Sequence, residues 1–147
     1  MPQEATSREI SITDEDPSIV EKMIDYLYKL DYTDSPFDSG GKPTLLINAE
    51  VYAIAEKYNI RSLKALAKGK FKAKVEKGWN EEGFSLAIKE VYTSTPDSDM
   101  ELRDLVCKAA EDSVEALLGR SDFRTSLSEI NDFTVDLLDA VVKRFLR

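Results

Sequence analysis

Apolar residues recur at helical spacing along most of this chain, and the clearest case is the stretch from Leu45 to Val75. One apolar set lies before residues 59 and 60 and another after them: Val51, Ile54, Ala55 and Tyr58, then Leu63, Leu66, Ala67 and Phe71. This spacing predicts two helices joined in a hairpin, each with one apolar face. Because two short helices cannot bury each other's apolar faces completely, flanking segments must supply the remaining cover.

A helix is also predicted from Pro17 to about Leu30. Asp16 can cap its first turn, and Pro17 is well suited to the first helical position. Polar residues occupy only one arc of this helix, and apolar residues fill most of the rest: Ile19, Val20, Met23, Ile24, Leu27, Tyr28 and Leu30. We therefore expect the helix to be covered on more than one side.

One short strand is predicted where polar and apolar residues alternate, with Ile10 and Ile12 on the same face. The only candidate partner within the chain is the apolar triplet 45–47. Without a partner strand, its edge is either shared with another chain or the segment lies on the helices.

The segment 31–43 reads as a loop because it holds two prolines, a glycine pair and several aspartates. Tyr32 and Phe37 are unusual in such a loop: they either fold back onto the domain or remain available to a partner. Asn48 is predicted to cap the first helix of the hairpin.

Beyond Gly78, which is predicted to end the hairpin, the chain reads as helical again. The predicted elements are a helix with a stripe from Phe84 to Tyr92, a capping box at 98–101, a long helix from 102 to 118, a short segment at 123–127 and a last helix capped by Asn131. The sequence thus predicts a mainly α protein with at least five helices and one minor strand.

The amino-acid composition of the chain argues against several classes of function. The chain of 147 residues lacks histidine, which removes the commonest metal ligand and the usual proton-transfer group near neutral pH. Its single cysteine, Cys107, has apolar neighbours and is predicted to fill the core. Since neither a G-x-S-x-G elbow nor a P-loop occurs, we predict a protein that is not an enzyme and has no cofactor or metal site.

No apolar run approaches the ~20 residues of a membrane helix, and the first residues are polar, so an intracellular protein, cytoplasmic or nuclear, is expected. The net charge is −8, but the segment from Lys57 to Lys77 carries +7 and the remainder −15. Arg61, Lys64, Lys68 and Lys72 share one face of the Lys-rich helix 61–77. That face predicts either non-specific nucleic-acid binding or, as we favour, a solvated surface facing the acidic remainder of the protein or its partner.

An ordered set of short motifs is similar to part of a known family: Ile10-x-Ile12, Asp16-Pro17, Met23 to Tyr28, Asp31-Tyr32, Val51 to Ile60 and Leu63. Together they resemble the second half of a BTB/POZ domain of the fungal type. The resemblance implies a partial BTB/POZ-like domain over residues 1–77, followed by a helical extension over residues 78–147 packed on it. It further implies a protein–protein interaction module, an adaptor or scaffold, and within that class a substrate adaptor for a cullin-type ubiquitin ligase.

In the family, strands and helices that carry much of the homodimer contact precede the part matched here, and this sequence lacks them. We therefore expect apolar surface that either the C-terminal helices or a second chain must cover. Ile10, Ile12, Met23 and Leu27 are the candidate contacts of a homodimer. Tyr32 and Phe37 complete the predicted partner-binding residues.

Overall fold

The computed structural model describes residues 15–77 and 83–146. Within these ranges eight α-helices and one 3-10 turn follow one another, without any strand. The elements are α1 Pro17–Lys29, the 3-10 turn Pro36–Ser39, α2 Thr44–Lys57, α3 Arg61–Glu76, α4 Gly83–Ser94, α5 Glu101–Asp112, α6 Val114–Leu117, α7 Ser121–Glu129 and α8 Asn131–Phe145. The mainly α prediction is confirmed, whereas the predicted strand at Ile10 and Ile12 lies outside the described residues.

Helix α1 begins and ends with recognisable signals. The Asp16 carboxylate accepts a hydrogen bond from the Ser18 N–H at 2.9 Å, and Pro17 occupies the first helical position, as predicted. At the other end, Leu30 adopts the left-handed conformation with φ 60°. Its N–H donates to the Tyr26 carbonyl at 2.7 Å, which satisfies one of the last carbonyls of the helix.

Two predictions about the start of α2 are wrong. The triplet 45–47 is helical and not a strand, because α2 already begins at Thr44, directly after Pro43. Asn48 therefore lies inside the helix, fully buried, and does not cap it. Most of α2 is buried, and an apolar run in a buried helix has the same appearance in sequence as a buried strand.

The predicted hairpin of α2 and α3 is confirmed, and Asn59 makes its turn. Asn59 adopts the left-handed conformation with φ 59°. Around it, the Ile60 N–H donates to the Ala55 carbonyl at 2.8 Å and the Asn59 N–H to the Glu56 carbonyl at 3.2 Å. These two bonds form a Schellman motif, which ends α2 and directs the chain into α3.

The C-terminal helices pack against this hairpin. Helix α4 lies on α2, α5 on α3, and α8 on α5. The predicted long helix from 102 to 118 is divided at Ser113 into α5 and α6. The predicted capping box does not start α5: Met100 precedes its first residue, and the Glu101 N–H donates to the Asp99 side chain rather than to Ser98. Asn131 is the first residue of α8 rather than its cap.

One hydrophobic core runs through the described elements on both sides of the predicted boundary at residues 77 and 78. Its largest fully buried side chains include Tyr52, Phe71, Phe84, Phe123 and Phe133. Phe133 meets the rings of Phe123 and Tyr92 edge to face, with centroids 5.9 and 5.5 Å away. Helix α8 is thereby attached to α4 and α7 through one of its faces.

Candidate partner-binding surface

Apolar residues of α1 and of Leu30, which directly follows it, fall into a buried and an exposed set. The inner face buries Ile19, Met23 and Tyr26. On the outer side an apolar surface remains exposed to solvent, which we name the α1 surface: Ile24, Leu27, Tyr28 and Leu30. Of these, Leu27 is 58 %, Tyr28 86 % and Leu30 73 % exposed.

The neighbours of α1 explain why the α1 surface is exposed. Helix α1 packs mainly against α2 and the 3-10 turn, while the C-terminal helices lie on α2 and α3. We expected α1 to be covered on more than one side, but in the described part of the chain its outer apolar side is open. The C-terminal helices therefore do not supply the cover that the sequence requires for Leu27, Tyr28 and Leu30.

The loop after α1 is fixed by a buried hydrogen-bond network around Asn48. The Tyr32 hydroxyl donates to the Asn48 side-chain oxygen at 2.6 Å, and the Asn48 amide donates to Asp34 at 2.9 Å. Burial raises the pKa of Tyr32 well above its ordinary value, so its hydroxyl remains a donor. Lys22, itself buried, donates to the Thr33 carbonyl at 2.6 Å. Tyr32 thus folds back onto the domain.

Phe37 lies in the same loop but on its outside. Its side chain is 98 % exposed. The Ser35 hydroxyl accepts a hydrogen bond from the Phe37 N–H, and Gly40 and Gly41 follow with left-handed φ values of 66° and 87°. The 3-10 turn therefore holds a large aromatic ring in solvent, where a partner could contact it.

The structure separates the predicted partner-binding residues into three groups. Leu27 and Phe37 are exposed. Met23 and Tyr32 are buried, so their prediction as partner contacts is corrected: both side chains belong to the core of the chain itself. Ile10 and Ile12 lie outside the described residues. The sequence reasoning missed Ile24, Tyr28 and Leu30, although Ile24 and Tyr28 fall with Leu27 on a second apolar stripe at helical spacing.

Several lysines of the segment 57–77, which carries a charge of +7, form ion pairs within the chain. The Lys64 ammonium lies 2.7 Å from Glu56 and 3.3 Å from Asp99, and 5.0 Å above the centre of the Tyr52 ring. Burial lowers the pKa of Lys64, but the hydrogen bonds to Glu56 and Asp99 outweigh it and the pKa is raised. Lys64 is therefore a charged structural residue that joins α3 to the start of α5.

Three other lysines of this segment also have acidic partners: Lys57 with Glu15 at 2.6 Å, Lys68 with Glu101 at 2.7 Å and Lys70 with Asp31 at 3.2 Å. Within residues 15–77 and 83–146, four cations of the segment form no ion pair: Arg61, Lys72, Lys74 and Lys77. A phosphate backbone that followed the predicted basic face would have to compete with these intramolecular pairs at Lys64 and Lys68.

A groove of about 520 Å³ runs along the contact between α5 and α8 and is lined by residues of both helices. Cys107 is one of the lining residues; it is buried, as predicted, and its sulfur lies 3.3 Å from the Tyr92 hydroxyl. That hydroxyl also donates to Asp136 at 2.7 Å. Burial raises the pKa of the Cys107 thiol to about 11, so the side chain is a neutral thiol near pH 7 and not a nucleophilic thiolate.

Among the described residues, no group of three or more histidine, cysteine, aspartate or glutamate side chains is arranged to hold a metal ion. None of the helices in the described ranges is both long and apolar enough to cross a membrane. Comparisons of the chain with protein-family models, curated proteins and solved structures found no match. Without a relative to guide the choice, the candidate site is defined by its geometry alone. The α1 surface and Phe37 are among the exposed apolar parts of the described chain, together with residues of α8.

Proposed function

We propose that this chain is a protein–protein interaction module, an adaptor or scaffold similar to BTB/POZ proteins, and that it binds a partner protein through the α1 surface. The observation that carries the proposal is the exposed apolar side of α1, continued by Leu30 directly after the helix, where Leu27, Tyr28 and Leu30 are more than half exposed. Apolar side chains grouped on one exposed helix face are typical of a surface that a partner covers.

The chemistry of the α1 surface fits a protein partner. Leucine and isoleucine supply apolar area, and Tyr28 adds an aromatic ring with a polar end, a combination common at the centre of protein interfaces. The lysine pairs at Lys64 and Lys68 weigh against the alternative of nucleic-acid binding, because those cations already have carboxylate partners. Protein binding is therefore the function that the described residues favour.

A matched pair of variants tests the proposal. Leu27→Lys changes the α1 surface, whereas Leu86→Lys makes the same substitution at a 48 % exposed leucine on α4. Proteins that co-purify with the wild type and with Leu86→Lys, but not with Leu27→Lys, are identified by mass spectrometry and then titrated in purified form. We expect Leu27→Lys to weaken this binding about tenfold or more. Partners that bind all three proteins equally would overturn the proposal.

The resemblance suggests one particular partner, a cullin scaffold. Titration of the purified chain with a cullin N-terminal domain tests this narrower version. Binding in the micromolar range that Leu27→Lys reduces and Leu86→Lys preserves would support a substrate adaptor. Absence of binding at tens of micromolar (about −6 kcal/mol) would exclude the cullin version and leave the wider proposal to the co-purification experiment.

A further inference from the structure

A cleft of about 300 Å³ lies where the start of α1, one side of α2 and the end of α4 meet. Carboxylates predominate among the charged side chains that line it. Of the described residues, four acids and one lysine contribute to its walls: Glu15, Asp16, Glu50, Glu90 and Lys57. A second lysine, Lys42, reaches two of these acids from the loop before α2.

The two lysines are bound to three of the four carboxylates. The Lys42 ammonium contacts Asp16 and lies 2.8 Å from Glu50. The Lys57 ammonium lies 2.6 Å from Glu15. The fourth carboxylate, on α4, forms no ion pair with any residue of 15–77 and 83–146. The group therefore holds more negative than positive charge, and the excess is greatest on the α4 side of the cleft.

The carboxylate without a lysine is that of Glu90, which is half-buried. No charged residue stands three or four positions away from it on α4. Helices α5, α7 and α8 also pack against α4, but none of the described residues that line the cleft belongs to them. The charges that face Glu90 therefore come from α2, from the loop before it and from the start of α1.

These surroundings favour the protonated form of Glu90. Burial raises the pKa of its carboxyl, and the negative charges of Glu50 and Glu15 raise it further. A hydrogen bond with Ser94 and the positive charge of Lys42 act in the opposite direction without outweighing them.

We propose that Glu90 makes the junction of α1, α2 and α4 acid-sensitive: in mild acid its carboxylate takes up a proton, and α4 then packs more stably on α2 and on the start of α1. The proton removes one excess negative charge and the cost of burying it. Because the folded pKa of Glu90 lies above the unfolded value of 4.5, this stabilisation is complete below pH 4.5 and is lost as the pH rises through the folded pKa. The acid response is independent of what the α1 surface binds.

An NMR titration of the side-chain carboxyl carbons measures the proton uptake directly. The Glu90 resonance is identified by its absence from the spectrum of Glu90→Gln. We expect it to titrate at a higher pH than the resonance of Glu129, an exposed glutamate on α7. Glu50→Gln removes a negative charge across the cleft and should lower the midpoint of Glu90, whereas Glu129→Gln should leave it unchanged. A Glu90 midpoint no higher than that of Glu129, or one that Glu50→Gln does not move, would overturn the proposal.

Urea denaturation connects this proton to the packing of the junction. The wild type, Glu90→Gln and Glu129→Gln are compared at about pH 7 and at about pH 4.5, where Asp16, with a pKa of about 2, remains ionised. Since glutamine resembles the protonated carboxyl, Glu90→Gln should have a higher urea midpoint than the wild type at pH 7, and this advantage should shrink at pH 4.5. Glu129→Gln should differ from the wild type by the same small amount at both pH values. A Glu90→Gln midpoint that is not raised at pH 7, or an advantage that persists unchanged in acid, would contradict the proposal.

Discussion

Tyr52 of α2 donates its hydroxyl hydrogen to the Asp99 carboxylate ahead of α5, with oxygen distances of 2.7 and 2.9 Å. Burial raises the pKa of Tyr52 well above its ordinary value, which keeps the donor proton in place. Burial also raises the pKa of Asp99, but hydrogen bonds from Tyr52, the Glu101 N–H and Lys64 outweigh it, and the pKa is lowered. This charge-assisted bond joins the central hairpin to the C-terminal helices.

Tyr52→Phe should therefore destabilise the whole chain. The substitution removes one donor from Asp99, and we expect the free energy of unfolding to fall by about 1.5–3 kcal/mol. Urea denaturation followed by circular dichroism measures the change. Tyr28→Phe, at a tyrosine 86 % exposed, is the control and should stay within about 0.5 kcal/mol of the wild type. Equal effects of the two substitutions would show that the Asp99 bond contributes nothing.

The pair of Asp16 and Lys42 predicts a pH dependence of stability. The hydrogen bond from Lys42 lowers the pKa of Asp16 from 3.8 to about 2 in the folded chain. Because the folded pKa lies below the unfolded one, the stabilisation is complete above pH 3.8 and is lost as the pH falls towards about 2.

Asp16→Asn keeps a residue able to cap α1 but removes this charge. At neutral pH it should lower the free energy of unfolding by at most about 1 kcal/mol, since the Asp16 side chain is 37 % exposed and water screens the pair. The difference from the wild type should shrink below about pH 4. In a Lys42→Met background, Asp16→Asn should have a smaller effect at neutral pH. A difference that stays constant down to pH 2 would contradict the assignment.

Replacing a buried phenylalanine by alanine should destabilise the chain far more than replacing an exposed one. Phe133 is fully buried and contacts two aromatic rings, so Phe133→Ala should lower the free energy of unfolding by about 3–5 kcal/mol. Phe37→Ala removes a side chain that is 98 % exposed and should change it by less than about 0.5 kcal/mol. A large loss for Phe37→Ala in urea denaturation would mean that the ring packs within the chain.

Few cations of the segment 57–77 lack an ion pair within the described residues, so nucleic-acid binding should be weak at most. We expect a DNA fragment to bind at low salt and to be released before physiological ionic strength, because few unpaired cations can displace counterions. Lys72→Gln should weaken the low-salt binding, whereas Leu86→Lys should not. Fluorescence anisotropy at several salt concentrations measures this. Binding that survives physiological salt and depends on base sequence would revive the nucleic-acid alternative.

The sequence was informative where local signals decide the structure. Asp16 with Pro17 predicted the start of α1, and the apolar spacing around Asn59 predicted the hairpin. It failed where tertiary packing decides. The apolar run at 45–47 is equally compatible with a strand and with a buried helix, and no local signal at Ser113 predicts the break between α5 and α6.

For the candidate site, the sequence showed that α1 carries more apolar surface than one contact can cover. It did not show which side faces the core, because that depends on where α2 lies. Met23 and Leu27 were consequently grouped together, although Met23 is buried and Leu27 exposed. Tyr32 and Phe37 differ for a similar reason: only Tyr32 can reach Asn48.

Leu30 directly follows α1 in a left-handed conformation, which lowers the stability of the folded chain. A residue with a Cβ atom is strained there by about 1–2 kcal/mol, and a side chain 73 % exposed recovers little of it through burial. Leu30→Gly should relax this strain and raise the melting temperature while removing exposed apolar area from the α1 surface. The isolated chain would thus be more stable with glycine at position 30, so nothing in the fold of the single chain requires leucine there.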